Sequence, residues 1–442
     1  KSSSTVTVTI GANATEAAPS IDGSVYGGSD ENGILESDVT LHILNGTIGK
    51  AGENNSFTGG NVYGGGLGLP TLVQGSVIVN IGAAGNTPTG TANILGDVYG
   101  GSAKGKVNAT KGGTAESPTY SNPNSKTTQV NLYANTGVRN VYGGGHGLDG
   151  ASADVYGDVT VNIGATDGAS TPTYTGNATI NGSVFGCNNA NGSPQGDVTV
   201  NVYKTAHIEA NKYPKSDETN ADLNDNNDAT YAINAVYGGG NLAHYIPAAP
   251  SGTDPAHITT VHVYACSTDD ANTVKAVYGG GNAADVGTSS TTANTHVIID
   301  GGRFHNIFGG GNGAGNDNPG ANINGTATTD VLGGLYNQIF GGSDSKGDVK
   351  TVALSIEDQC GILRVNDSFG GANMSDLSGN VTTTLTCNGN MTVENFYGGS
   401  NQADIDGSVT LNVFGGTFTN IYGGSKGIIP AADATDAEKA NR

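Results

Sequence analysis

Short stretches in which apolar and polar residues alternate recur along this chain. Val6-Thr7-Val8-Thr9-Ile10, Val159-Thr160-Val161-Asn162-Ile163, Val198-Thr199-Val200-Asn201-Val202 and Val409-Thr410-Leu411-Asn412-Val413 are examples. A period of two puts Val159, Val161 and Ile163 on one face and Thr160 and Asn162 on the other, which predicts half-buried strands. A second kind of stretch leads into an aromatic residue, as in Ile94-Leu95-Gly96-Asp97-Val98-Tyr99 and Ile180-Asn181-Gly182-Ser183-Val184-Phe185. Here two apolar residues adjoin, which breaks strict alternation and places the aromatic at a corner. No segment carries an apolar period of 3.6, so helix is confined to a turn or two within Ala431–Asn441.

The aromatic belongs to a signature that occurs twelve times, at Tyr26, Tyr63, Tyr99, Tyr142, Phe185, Tyr237, Tyr278, Phe308, Phe340, Phe369, Tyr397 and Tyr422. Eleven of these continue as Gly-Gly, and Phe185 is followed by Gly186-Cys187. The spacings are 37, 36, 43, 43, 52, 41, 30, 32, 29, 28 and 25 residues. A signature recurring at such periods implies stacked repeats. The chain is therefore expected to be all-β, a single elongated parallel β-helix or β-solenoid of about 12 coils. Twelve coils stacked at about 4.8 Å would make a rod roughly 55–60 Å long. The glycines are expected to turn the chain, through positive φ and close backbone stacking. Residues 1–430 read as the solenoid, and residues 431–442 as a polar tail that caps its end or links to a further region.

Coils shorten toward the C-terminus. The N-terminal half carries insertions rich in Asn, Asp, Pro, Ser and Thr, namely 115–125, 166–175 and 212–229, which read as surface loops. Stacking predicts a continuous valine core, the twelve aromatics as one structural ladder, and an outward asparagine ladder through Asn80, Asn131, Asn162, Asn201 and Asn412. His42 and His262 occupy the same kind of outward position.

Composition narrows the function. With 39 acidic against 18 basic residues the net charge is −21, and only four arginines occur. No basic patch could neutralise a phosphate backbone, which argues against nucleic acid and anionic membranes as partners. No run of about 20 apolar residues could span a bilayer. No signal peptide is visible at Lys1, and both ends read as those of a mature protein or a piece of a larger one. The four cysteines contain no C-x-x-C. Cys360 and Cys387, one local repeat apart, are read as buried thiols in neighbouring coils or as an inter-coil disulfide.

The densest group of oxygen ligands is Asp217, Glu218, Asp222, Asp225 and Asp228, a candidate Ca²⁺ site on chemistry alone. It lacks the EF-hand glycine and terminal glutamate, and a flexible acidic loop is the competing reading. Ca²⁺ is the single cofactor considered. Asp404 and Asp406 share a strand face, as a glycosidase pair would, yet Asp406 precedes Gly407 at a turn where other repeats also place Asp. No H-E-x-x-H, G-x-S-x-G or P-loop occurs, so no catalytic residues are assigned.

The phrase Val409-Thr-Leu-Asn-Val-Phe-Gly-Gly-Thr-Phe-Thr-Asn-Ile-Tyr-Gly-Gly424 resembles the repeats of large bacterial cell-surface and adhesin-like proteins of gut anaerobes. That resemblance implies a right-handed parallel β-helix and supplies no catalytic residues. The expected function is an extracellular or cell-surface structural and adhesive solenoid. It would present loops Ser117–Lys126, Lys212–Tyr231 and Leu242–Pro255, the last with His244 and Tyr245, to a glycan or surface protein. A polysaccharide-active lyase or hydrolase on the same fold, and a surface fibre subunit associating end to end, are the alternatives.

Overall fold

Two parallel sheets of twelve strands each run through the molecule. The computed structural model describes residues 5–11, 17–53, 56–83, 91–133, 136–176, 178–205, 231–266, 272–314 and 320–428. Wall A begins at Val6–Ile10 and ends at Val409–Val413. Wall B begins at Val25–Tyr26 and ends at Thr417–Tyr422. Each strand pairs in parallel with its equivalent in the next rung, for example Val159 with Val198 and Asn162 with Asn201. The protein is thus an all-β solenoid of twelve rungs, and no α-helix occurs among the described residues.

The alternating pattern dictates the interior. Val39, Leu41 and Ile43 face inward on one rung, Val77, Val79 and Ile81 on the next, and all are fully buried. Rung stacking converts these triplets into a continuous core that no single rung could bury alone. In the N-terminal half a third side is closed by short strands. These form a five-stranded sheet from Ser20–Ile21 to Thr179–Ile180 and a three-stranded sheet from Ile34–Leu35 to Lys106–Val107. Toward the C-terminus these short strands give way to longer walls, with nine residues each in Ile323–Val331 and Val349–Glu357.

The aromatic ladder forms as the repeat implied, and its location is different. Successive rings from Tyr26 to Tyr422 stack with centroids 4.7–5.0 Å apart and planes within 10°. Alternation is not broken at the aromatic. Val98 joins the inner core while Tyr99 lies in a separate apolar cluster outside it. The rings are buried because the chain doubles back over them, and the residue four places after each aromatic forms the cover. In the later rungs this cover is a ladder of amides. Asn241 donates to Asn189, Asn282 to Asn241 and Asn312 to Asn282, at 2.8–2.9 Å. Asn373 donates to Asp344, and Asn401 to Asn373.

The Gly-Gly pair is required for space rather than for positive φ. A Cβ on Gly64 would lie 2.2 Å from the carbonyl oxygen of Gly100 on the next rung, and one on Gly341 would lie 2.3 Å from that of Gly370. Neither residue has positive φ. Contact between stacked backbones leaves no room for a side chain.

Two insertions expected as loops are antiparallel hairpins, Thr110–Gly113 with Pro118–Ser121 and Ala165–Thr166 with Tyr174–Thr175. With the rung edges already paired, an inserted segment finds its backbone partners in itself. Cys360 bonds to Cys266 and not to Cys387, which retains its thiol. One rung of separation proved a poor guide, because the bond joins segments that follow wall A strands three rungs apart in the sheet. Residues 431–442 lie outside the described residues.

Candidate functional site

The first asparagine ladder lies on the outer face of wall A. Asn131 donates to Asn80, Asn162 to Asn131 and Asn201 to Asn162, each at 2.8 Å. His42 extends it at one end, 3.2 Å from Asn80, and His262 pairs in register with Asn201 at the other. Asn412 stands in the same column but beside Thr384, so it is outside the hydrogen-bonded run. Each amide carries two N–H groups and a two-lone-pair oxygen. The ladder uses one N–H per rung, and the second is chemistry held in reserve along a straight line.

Two residues after each ladder asparagine, the same strand periodicity produces a second outward column. It reads Tyr133, Gly164, Tyr203 and Tyr264 on four consecutive rungs. Their backbone N–H groups bond to Ile81, Leu132, Ile163 and Val202 in turn, which fixes the register. The sequence carries this as Val-Asn-Leu-Tyr, Val-Asn-Ile-Gly, Val-Asn-Val-Tyr and Val-His-Val-Tyr. The four phrases stand 31, 39 and 61 residues apart, so only the rung register brings them into one column.

Gly164 leaves a slot one rung deep between Tyr133 and Tyr203. The cavity measures about 510 Å³ and is lined by Gln129, Asn131, Tyr133, Asn162, Gly164 and Tyr203, with Asp167 and Thr175 from the hairpin among the remainder. Two rungs separate the tyrosines by about 9–10 Å. The glycine has φ +73 and a Cβ there would meet backbone atoms of Lys204, so a side chain is excluded from the floor.

The Tyr203 side of the slot is held from behind. Tyr203 packs on Tyr264 at 4.7 Å and Tyr174 at 6.2 Å, and His262 lies 3.6 Å from Tyr264 between ring centroids. Burial raises the hydroxyl pKa of Tyr133, Tyr203 and Tyr264, the last to about 12, so all remain neutral donors at physiological pH. The Asp167 carboxylate accepts the backbone N–H groups of Ala169 and Thr173, which hold it below the usual carboxylate range. The rim is therefore negative, the floor rich in amides and the ends aromatic.

The expected recognition loops fare unevenly. Ser117–Lys126 lines a cleft of about 400 Å³ with Tyr156, Asp158 and His257. Leu242–Pro255 lines a neighbouring cleft of about 360 Å³ with Asp154 and Asn191, and Gln195 borders both. Tyr245 is not a surface contact. It is fully buried and its hydroxyl donates to the Gly196 carbonyl at 2.7 Å. Asp217, Glu218, Asp222, Asp225 and Asp228, with the loop around them, lie outside the described residues. Among the described residues, no group of three or more His, Cys, Asp or Glu could hold a metal ion.

Asp404 and Asp406 are both exposed, and the Asp404 N–H donates to Asp376 on the preceding rung. This is the turn role, repeated rung by rung. A charged cluster does gather around the buried Asp97 beside the ladder rings. Arg139 binds Asp97 through both carboxylate oxygens, at 2.7 and 2.5 Å, and Tyr99 and Asn140 also donate to Asp97. His146 covers Tyr99 at 4.8 Å and bonds Tyr63. Every polar group there is engaged by another, so the cluster serves as cover for the aromatic ladder where asparagine is absent. No family model, curated protein or solved structure matches the chain.

Proposed function

We propose that the protein is an extracellular, adhesive solenoid that binds glycans, with the slot between Tyr133 and Tyr203 as its principal site. The observation that carries this reading is the slot itself. Flat aromatic faces bury the C–H face of a sugar, and amides and a carboxylate bond its hydroxyls. A few convergent polar groups in a cavity of this size suit a small organic ligand. A neutral, hydroxyl-rich ligand also avoids repulsion from a chain of net charge −21. The Cys266–Cys360 disulfide supports exposure to an oxidising compartment, as at a bacterial surface or beyond it.

The test is binding to a panel of purified polysaccharides and mucin glycans, with released sugars scored in the same samples. Tyr203→Ala is expected to weaken retention at least tenfold, about 1.4 kcal/mol, without changing the fold seen by circular dichroism. Retention unchanged in both Tyr203→Ala and Tyr133→Ala would overturn the site. Released oligosaccharides would replace the adhesive reading with the enzymatic one.

A further inference from the structure

Where the chain turns into wall A, two short corners lie between two long ones. On consecutive rungs the wall strands are Thr128–Leu132, Val159–Ile163, Val198–Val202 and Ile258–Val263. The first is preceded by the hairpin of Thr110–Gly113 with Pro118–Ser121, and the last by the segment Leu242–Pro255. The two between turn within three residues each, Tyr156-Gly157-Asp158 from Val155 to Val159 and Gln195-Gly196-Asp197 from Pro194 to Val198. The result is a notch whose halves are the two clefts that Gln195 borders. Three rung steps separate its flanks, about 14 Å, which about four extended residues would span.

One lysine of this chain shows the recognition in completed form. Lys106 Nζ lies 3.0 Å from Asp154 Oδ2 and 5.4 Å from the ring centroid of Tyr120, a cation held by a carboxylate and an aromatic face. Beside it, Tyr156 and Asp158 offer the same pair of groups, and both line the first cleft. Tyr120 packs on Tyr156 at 5.8 Å between centroids. Asp158 is exposed, and its Oδ1 accepts the Asp197 N–H at 2.9 Å. Among the described residues Asp158 makes no ion pair, since Lys126 is held by Asp38 and Lys106 by Asp154. The second cleft has a different character. Leu242 and Ile246 are 54% and 43% exposed there, beside Pro247.

We propose that the notch docks an extended segment of a partner protein, with a lysine or arginine seated on Tyr156 and Asp158 and an apolar side chain a few residues away covering Leu242 and Ile246. The occupant follows from complementarity. A carboxylate without a counter-ion beside an aromatic ring suits a cation, and the exposed apolar pair suits apolar area. A chain of net charge −21 also attracts basic partners at long range. The notch lies at the corner before wall A, apart from the slot between Tyr133 and Tyr203, so occupancy of one does not require the other.

Fluorescence anisotropy of the full chain with short labelled peptides tests this. Each probe is a Ser/Gly peptide holding one Lys and one Leu about two to four positions apart, compared with the same peptide carrying Gln for Lys or Ser for Leu. The expected result is one spacing that binds about tenfold or more tightly than either control, with the advantage over Gln shrinking as salt is added. Asp158→Asn is the informative variant, because its side-chain oxygen still accepts the Asp197 N–H while the charge is gone. It is expected to melt as the wild type does and to bind the Lys peptide no better than the Gln control. Ile246→Ser should remove the advantage of Leu over Ser, and Tyr203→Ala should leave all peptide binding unchanged. Lys peptides that bind no better than their Gln controls at every spacing would overturn the proposal. So would undiminished binding by Asp158→Asn, or loss of peptide binding in Tyr203→Ala, which would place the peptide in the slot.

Discussion

The rungs that precede Ile233 and those that follow Ile299 stack the same columns of side chains, yet they have diverged in what they do with the outside. The later rungs are short, with rings 25–32 residues apart, long continuous walls and an amide ladder over the aromatics. Phe308, Phe340 and Phe369 are wholly buried there and have no hydroxyl to satisfy. The earlier rungs are longer, break their third side into short strands and project hairpins. They carry the tyrosine-walled slot and much of the two clefts, which the Leu242–Pro255 segment of the next rung completes. The lesson is that a solenoid separates stability from recognition along its axis. The inner columns must repeat, because each rung is packed on the next. The outward positions and the turns are free to vary, and they have varied where rungs are long.

Substitutions that remove a repeating contact should break this comparison most severely. Gly341→Ala puts a methyl group 2.3 Å from a carbonyl oxygen and against Val352. It is expected to cost about 3 kcal/mol or more, or to abolish folding. Phe340→Ala should cost about 3–5 kcal/mol, whereas Tyr422→Ala, at a ring 45% exposed, should cost under about 1 kcal/mol. Urea titrations of the three variants check the order. Comparable losses at Phe340 and Tyr422 would mean that ring stacking is not what the later rungs depend on.

Next comes the covalent tie that joins Cys266 to Cys360 in the later region. Cys266→Ser removes a bond that closes a loop of 94 residues, and loops of that length correspond to about 2–5 kcal/mol. Hydrogen exchange should show the loss concentrated between Cys266 and Cys360, leaving protection of Val159–Val202 unchanged. Uniform loss along the rod would show that the two regions unfold as one.

A smaller effect sharpens the account of the amide cover. Asp344 interrupts the ladder between Asn312 and Asn373, and burial raises its pKa, outweighing the bonds from Asn373 and Tyr278. A carboxyl whose folded pKa is raised favours the fold while protonated. That contribution is complete below its ordinary value of 3.8 and is lost as pH rises through the folded value. Asp344→Asn supplies the donor that a carboxylate lacks. It should stabilise by about 0.5–1.5 kcal/mol at neutral pH, and the gain should fade toward pH 3.8. Thermal melts of both proteins across that range measure the difference. A gain that does not depend on pH would assign it to something other than this proton.

Much of the fold was legible. Val-Thr-Val-Asn-Ile could hardly be other than a half-buried strand, and twelve aromatic-glycine steps at shrinking intervals could hardly be other than stacked coils. The candidate site was far less legible. Tyr133, Tyr203 and Tyr264 are scattered through sequence, and only the register of wall A makes Gly164 a gap between them. Cys360 looked nearest to Cys387 because both follow a wall strand one repeat apart, yet Cys266 is its partner. Tyr245 looked like a loop aromatic and is a core strut, since its loop folds inward onto Gly196.

The sequence by itself determined the repeat, the inward valine columns, the recurrence of the ring and the outward asparagines, because a period of two and a recurring signature are local properties. It also determined the net charge of −21. Only the tertiary structure decided that the rings lie outside the core under a returning chain, and that the glycines answer to a neighbour's carbonyl rather than to a turn. It alone decided which tyrosines share a column. These depend on which rung lies above which, and the lengths of intervening insertions conceal that order from any reading along the chain.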